Sequence, residues 1–235
     1  MYDMSSEKVT VEFTDDGFAI LTMRDGENRL NDEFIQLLND SLDRVLSNEN
    51  CKALITTGEG KFYSNGVDLK WISKQSMEVS TRFRKNIQAL FWRFLHFPLP
   101  TVAVLNGHAF AGGAFIAIAH DYLVMNSKRG WFSMNEVRVG MRIPPATLEV
   151  LSAKLKNKQA LREAVVFARP IPAAEAKSLG LIDEIGELST LIGTAKKLAL
   201  QSLGPTGIDR DMLQIMKKDL YPSSLMDNDS IKSKL

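Results

Sequence analysis

The chain carries one cysteine, Cys51, so no internal disulfide can staple it, and a reducing compartment suits it. No apolar run approaches the roughly 20 residues that cross a bilayer, which argues against a membrane span. A formal net charge of +1 gives no global field toward nucleic acid or an anionic membrane. Met1 to Lys8 lack the basic-then-apolar layout of a signal peptide. There is no internal repeat and no low-complexity tract. Also missing are a G-x-G-x-x-G fingerprint and the Lys-Ser/Thr pair of a phosphate-binding loop. Ser64 sits in no G-x-S-x-G turn, so a serine nucleophile is not expected. His96, His108 and His120 share no i,i+4 face and read as structural; no metal site is expected. His120-Asp121 lacks the companion histidines of a metal phosphohydrolase, and Cys51 has no evident activating partner.

What is present is enough for one sizeable domain, or a domain with a modest helical appendage: 235 residues, 45% of them hydrophobic and 24% charged. Val9–Phe13 and Phe18–Met23 flank an Asp15-Asp16-Gly17 turn and predict a hairpin. Helical spacing of Phe34, Leu37, Leu38, Leu42, Val45 and Leu46 predicts a helix over 32–46. Residues 52–57, 101–105 and 122–125 read as strands. A long amphipathic helix is expected over 77–97, ended by Pro98 and Pro100. Its basic, aromatic character also fits a calmodulin-type or membrane-surface helix, but a core-facing stripe with solvated Arg and Lys is the reading adopted. A small-residue helix covers 111–120, and further helices are expected at about 144–156, 158–167, 172–178 and 187–203. Alternating strands and helices followed by helices predict an α/β core with a C-terminal helical region. The last three residues, Ser233-Lys234-Leu235, read as a peroxisomal matrix address for an import receptor, on a polar tail from Pro222.

Two stretches carry the chemistry. Ser64-Asn-Gly-Val-Asp-Leu69 and Asn106-Gly-His-Ala-Phe-Ala-Gly-Gly113 each run from an apolar strand through a glycine turn into a helix start. Such turns leave backbone N–H groups unpaired and suited to an anionic oxygen. One carboxylate, Glu136, follows. Two donor sites and one acid suggest chemistry on a carbonyl compound, the charge held by backbone and the proton moved by Glu136.

These stretches resemble the two signature regions of the crotonase (enoyl-CoA hydratase/isomerase) superfamily. Glu27-Asn-Arg-Leu-Asn31 and Ala174-Glu-Ala-Lys-Ser-Leu-Gly-Leu-Ile-Asp183 extend the similarity over nearly the whole chain. The resemblance implies a crotonase-like spiral of ββα units over 1–180, a helical trimerisation region over 181–220, a flexible tail over 221–235, and a homotrimer or hexamer. It also implies an acyl-CoA substrate, its thioester oxygen held in an oxyanion hole by the amides of Val67 and Gly112. Glycine at 112 and 113 lets the backbone approach a ligand, although close helix packing alone would also explain the pair. Ser64, Asn65, Gly66, Asp68, Leu69, Lys70, Gly113 and Phe115 are the further substrate and CoA positions the resemblance implies. Arg29, Lys61, Lys70 and Lys74 are candidates for the CoA phosphates.

Hydratases of that family present two acids. The first falls here on Phe115, which holds neither water nor proton, and the second on Glu136. A Pro144-Pro-Ala-Thr147 run also replaces the hydratases' later Gly-Gly pair. A single acid suits a double-bond shift from 3-enoyl-CoA to 2-enoyl-CoA, taking a proton from C2 and returning it to C4. The pattern is most similar to the peroxisomal Δ3,Δ2-enoyl-CoA isomerases, which need no cofactor beyond the CoA of the substrate. Phe110, Phe115 and Trp131 are expected to desolvate Glu136 and raise its proton affinity. Against this, Glu136 could be a surface glutamate paired with Arg138 or Arg142. Dienoyl isomerisation, thioester hydrolysis or a non-catalytic acyl-CoA-binding scaffold are the alternatives.

Overall fold

The structure, a computed structural model, describes residues 7–221; the tail with its Ser233-Lys234-Leu235 tripeptide lies outside the described residues. Strands β1 (Val9–Phe13) and β2 (Phe18–Met23) form the expected antiparallel hairpin, with Gly17 at φ +91° in the turn. From there the chain repeats one unit. A first strand joins a large sheet, a second shorter strand joins a small sheet, and a helix follows. The first strands are β3 (Ala53–Gly58), β5 (Thr101–Leu105) and β7 (Tyr122–Asn126); the second are β4 (Phe62–Ser64), β6 (His108–Phe110) and β8 (Phe132–Ser133). With β9 (Glu184–Gly186) the large sheet runs β1-β2-β3-β5-β7-β9, parallel from β2 onward, and the small one β4-β6-β8, parallel throughout. This is the crotonase-like ββα spiral.

The helices are α1 (Asp32–Leu46), α2 (Leu69–Ile72), α3 (Met77–Leu95), α4 (Gly112–Ala119), α5 (Pro145–Lys154), α6 (Lys158–Leu161), α7 (Ala173–Ser178), α8 (Leu191–Leu203) and α9 (Arg210–Leu220). Asn31 caps α1 by accepting from the Phe34 N–H at 2.8 Å. On one face of the large sheet, α8 lays Leu191, Ala195 and Ala199 on Phe18, Ile55, Val102 and Val124. Its other face meets the main core, where α3 buries Phe83, Leu90, Phe94 and Leu95. Burial on both faces explains why Thr101–Leu105 reads as an unbroken apolar run. It also settles α3 as a core helix.

Two expectations are adjusted, and two elements are located within a region the sequence left coarse. Helix α3 stops at Leu95 rather than 97, because the residue before Pro98 is pushed out of the helical region. The expected helix over 158–167 is α6 followed by a π-helical turn, Arg162–Val166. The short segment 180–185 that interrupts the helical pattern leads into β9, which completes the large sheet. Finally, α9 falls inside the helical region expected over 181–220, after the last helix given bounds from the sequence, and polar bonds anchor it. Lys217 Nζ donates to the carbonyls of Phe97 and Leu99 at 3.0 Å each, and to Asp121 Oδ2 at 2.6 Å.

Candidate active site

The small sheet organises the site. Its three strands are parallel, so their C-terminal ends share one edge, the usual place for a ligand in such sheets. Out of β4 runs Asn65-Gly66-Val67, out of β6 Ala111-Gly112-Gly113, and out of β8 Met134-Asn135-Glu136. The residues read from the sequence as donors and acid therefore leave one edge together.

The first loop is braced from below. Asn28, buried at φ +50°, donates through Nδ2 to the carbonyls of Phe62 (3.2 Å) and Tyr63 (3.0 Å), and its Oδ1 accepts from the Asp25 N–H. Ser64 Oγ donates to the Asn28 carbonyl at 2.7 Å and accepts from the Gly66 N–H at 3.2 Å. Leu30 N–H bonds the Gly66 carbonyl and Asp68 N–H the Leu30 carbonyl. Val67 lies between those two bonds, and its own N–H meets no acceptor among the described residues. Gly66 at φ +73° makes the bend; a Cβ there would stand 2.9 Å from the Gly112 nitrogen, so the two donor loops touch.

In the second loop, Ala111 carries φ +47° and ψ −124°, strain that a residue with a Cβ adopts only when its surroundings impose it. Its N–H is held by the Ser133 carbonyl of β8 at 2.9 Å. Ala111 is the N-cap of α4 without a side-chain cap bond, and the Gly112 N–H finds no acceptor among the described residues. The glycine pair divides its tasks. A Cβ on Gly113 would sit 2.4 Å from the Ser64 carbonyl oxygen, so packing alone requires glycine there. At Gly112 the nearest atom is the flexible Leu30 Cδ1 at 3.1 Å, so its backbone faces more open space.

Glu136 is 7% exposed, and its Oε2 is buried without a hydrogen-bond partner. Burial pushes its carboxyl up to about 7, against which only its own backbone N–H acts. The alternative pairing fails on geometry. Arg138 instead donates to the carbonyls of Ala168 (3.0 Å) and Phe167 (2.8 Å), just past the π-helical turn, and Arg142 is exposed and unpaired among the described residues. Phe115 is buried on α4 with its ring 5.8 Å from Phe91. Trp131, expected to shield Glu136, is 48% exposed and packs on His108 at the opposite ends of the small-sheet strands. Lys61 enters β4 rather than leaving it, so it stands at that same far end.

The remaining implied positions follow the first loop. Asn65 donates to Glu27 Oε2 at 3.1 Å, and Arg29 pairs with that same oxygen. Asp68 caps α2 through the Trp71 N–H, while Leu69, Lys70 and Lys74 are exposed. Ser64 bonds within its own loop and is completely buried, so its contribution is to shape. Asn28 and Ala111 carried no assignment from sequence. The signal for Asn28 was its place in the Glu27–Asn31 segment; for Ala111, a non-glycine at the bend. Among the described residues no group of three His, Cys, Asp or Glu could hold a metal ion.

Residues 14–227 match the model of the enoyl-CoA hydratase/isomerase family. The chain belongs to that family. It is 31% identical over 225 residues to an enoyl-CoA delta isomerase 2, peroxisomal, of Arabidopsis thaliana, covering 91% of this chain and 92% of that one. Among solved structures, a probable enoyl-CoA hydratase from Mycobacterium tuberculosis superposes with a TM-score of 0.82 at 28% identity, over 94% of this chain and 91% of that one. The human mitochondrial delta3-delta2-enoyl-CoA isomerase shares the fold, with a TM-score of 0.84 at 23% identity over 97% and 93% of the two chains. Family membership and these relatives support an enzyme of the isomerase or hydratase kind acting in acyl-CoA chemistry.

Proposed function

We propose that the chain is a Δ3,Δ2-enoyl-CoA isomerase of fatty-acid β-oxidation. The observation that carries the reading is a single, unpartnered, buried acid at the same sheet edge as two unpaired amides. The thioester oxygen accepts from the Val67 and Gly112 N–H groups, which stabilise the enolate formed when Glu136 removes the C2 proton. Held near pH 7 by desolvation, Glu136 is both a competent base and, once protonated, a competent acid toward C4. The proton travels from C2 to Glu136 to C4, the double bond moves into conjugation, and no other group changes. Phe115 stands where hydratases of the family place a second acid, which disfavours adding water. The thioester is the electron sink, so the reading asks for no metal or redox cofactor.

Assembly into a trimer or hexamer belongs to the same proposal. It is supported by the exposed apolar side chains Val137, Val139, Val166 and Phe167 around the Glu136 turn. A peroxisomal setting is supported by the name of the Arabidopsis relative, a peroxisomal enoyl-CoA delta isomerase. The deciding experiment follows the conjugated thioester in the ultraviolet from a 3-enoyl-CoA, with a hydration assay beside it, on the wild type and Glu136→Gln. Rapid isomerisation with little hydration, lost in the variant, is the expected result. Predominant hydration would point to the hydratase activity that the mycobacterial neighbour's name carries, and tight acyl-CoA binding with no turnover would point to a scaffold.

A further inference from the structure

One buried polar atom plays no part in the chemistry above. Gln88 Nε2 on α3 is shut away from solvent and has no partner among the described residues. Its side chain lines a cavity of about 30 Å³ wedged between α3, α4 and α5, with Phe91, Phe115, Ile118, Leu151 and Thr147 forming other walls. The cavity adjoins the second donor loop. Ile87, the residue before Gln88, brings its Cδ1 to 3.7 Å from where a Gly112 side chain would begin, and Phe115 lies one helical turn past Gly112 on α4. A chain starting from a carbonyl at the Gly112 amide would reach this cavity by running between α3 and α4.

Size and polarity together define what fits. A volume of about 30 Å³ admits roughly two water-sized groups, a chain end rather than a chain. An amide nitrogen buried against aromatic and aliphatic walls is costly unless something accepts from it. No charged side chain lines the cavity, so a terminal carboxylate would be buried without a counter-ion. A hydroxyl both donates and accepts, so it satisfies the Gln88 amide in either rotation and leaves a second bond for Thr147. We propose that this cavity is the end of the acyl site and selects short acyl thioesters whose terminal carbon bears a neutral hydroxyl, with Gln88 as the recognising group. The proposal rests on the acyl-CoA site assigned above.

The test uses binding, so that it is independent of turnover. Saturated ω-hydroxyacyl-CoA thioesters of increasing length are titrated calorimetrically into the full chain, each beside the plain acyl-CoA one carbon longer. The best hydroxy thioester is expected to bind about tenfold tighter than its plain partner, the size of one buried hydrogen bond left unmade. In Gln88→Met, which keeps the length and removes the amide, the order is expected to invert; Gln88→Leu serves if that variant folds poorly. Equal or weaker binding of the hydroxy series by the wild type overturns the proposal, as does a preference that survives in a folded Gln88 variant. The two readings separate cleanly. Hydroxyl preference without conversion of 3-enoyl-CoA keeps the pocket and removes the isomerase, whereas conversion without preference does the reverse. Failure of every thioester to bind removes both.

Discussion

Glu136 and His120 are both titratable and both buried, 7% and 0% exposed, yet their surroundings differ in every other respect. His120 is fully bonded. Its Nδ1 meets the Ile116 carbonyl at 2.8 Å; a carbonyl only accepts, so the proton sits on Nδ1. Nε2 then accepts from the Thr56 hydroxyl at 2.9 Å, and Thr56 Oγ1 accepts in turn from Tyr63 at 2.8 Å. Burial holds that neutral ring down at about 4. Glu136 has an oxygen with no partner, and burial lifts it to about 7. The same desolvation thus produces a strut in one place and a reactive proton carrier in the other. What separates them is whether the fold supplies partners. The satisfied chain also braces the unsatisfied site, since Tyr63 immediately precedes Ser64 and Ile116 lies on the helix that begins at Gly112.

The largest expected effects come from exchanging the two roles. Glu136→Gln should cut kcat/KM for 3-enoyl-CoA by about 10²–10⁴, the range of a lost general acid–base. The same change should stabilise the fold at neutral pH by up to about 3 kcal/mol, because a shift from 4.5 to about 7 measures the cost of burying that charge. His120→Leu should act in the opposite sense. It leaves the Ile116 carbonyl without a donor and one O–H of the Thr56–Tyr63 pair without an acceptor in the core, at roughly 1–3 kcal/mol each, with a smaller loss of turnover per folded molecule. Urea unfolding and isomerase assays on both variants check the pair. Should both lose stability, Glu136 has a partner in solution and the contrast is broken.

How much of this contrast the sequence showed depends on range. Glu136 stood out as the acid after the second glycine turn, but its isolation did not. Arg138 is two residues away and looked a natural partner; it is drawn off by carbonyls at 167 and 168, a long-range fact. The hairpin, α1 and the strands β3, β5 and β7 were legible because each repeats a pattern over five or more residues. The small sheet was not, since strands of two or three residues are too short to show a period, and that sheet is what gathers the donor loops and the acid. Helix α9 escaped for a related reason. Its anchor is Lys217 bonded to a carboxylate and two carbonyls, and a lysine on a helix ordinarily reads as solvated surface.

The comparison sharpens with pH. Glu136 has a folded pKa raised above its ordinary 4.5, so its contribution to stability is complete below 4.5 and is lost as pH climbs through about 7. His120 has a folded pKa lowered beneath 6.5, so its contribution is complete above 6.5 and is lost as pH falls through about 4. Between 4.5 and 6.5 the two trends oppose each other and are similar in size. The stability gained by Glu136→Gln over wild type should therefore grow from near zero at pH 4.5 to about 3 kcal/mol above pH 7, a difference in which every other group cancels. Equilibrium unfolding at several pH values measures it, and a difference independent of pH would remove desolvation as the cause. Over the same titration kcat/KM should rise with pH, reach half its limit near 7 and level off above it, as the base loses its proton.

The smallest predicted effect tests the direction of the buried chain. In the arrangement deduced above, Tyr63 is the terminal donor and Thr56 gives its own proton to His120. Tyr63→Phe then removes a donor but orphans none: Thr56 keeps its bond to the ring, losing only an incoming one, and the phenyl fills the same space. The cost should be about 1 kcal/mol, with unaltered Glu136 chemistry. Suppose instead that Thr56 donated to Tyr63. Nε2 would then have to carry a proton as well as Nδ1, leaving a buried imidazolium without a counter-ion where burial favours the neutral ring. Tyr63→Phe would in that case strand the Thr56 hydroxyl and cost as much as one of the groups orphaned by His120→Leu. The ratio of the two losses, read from unfolding midpoints, reports which way the protons point.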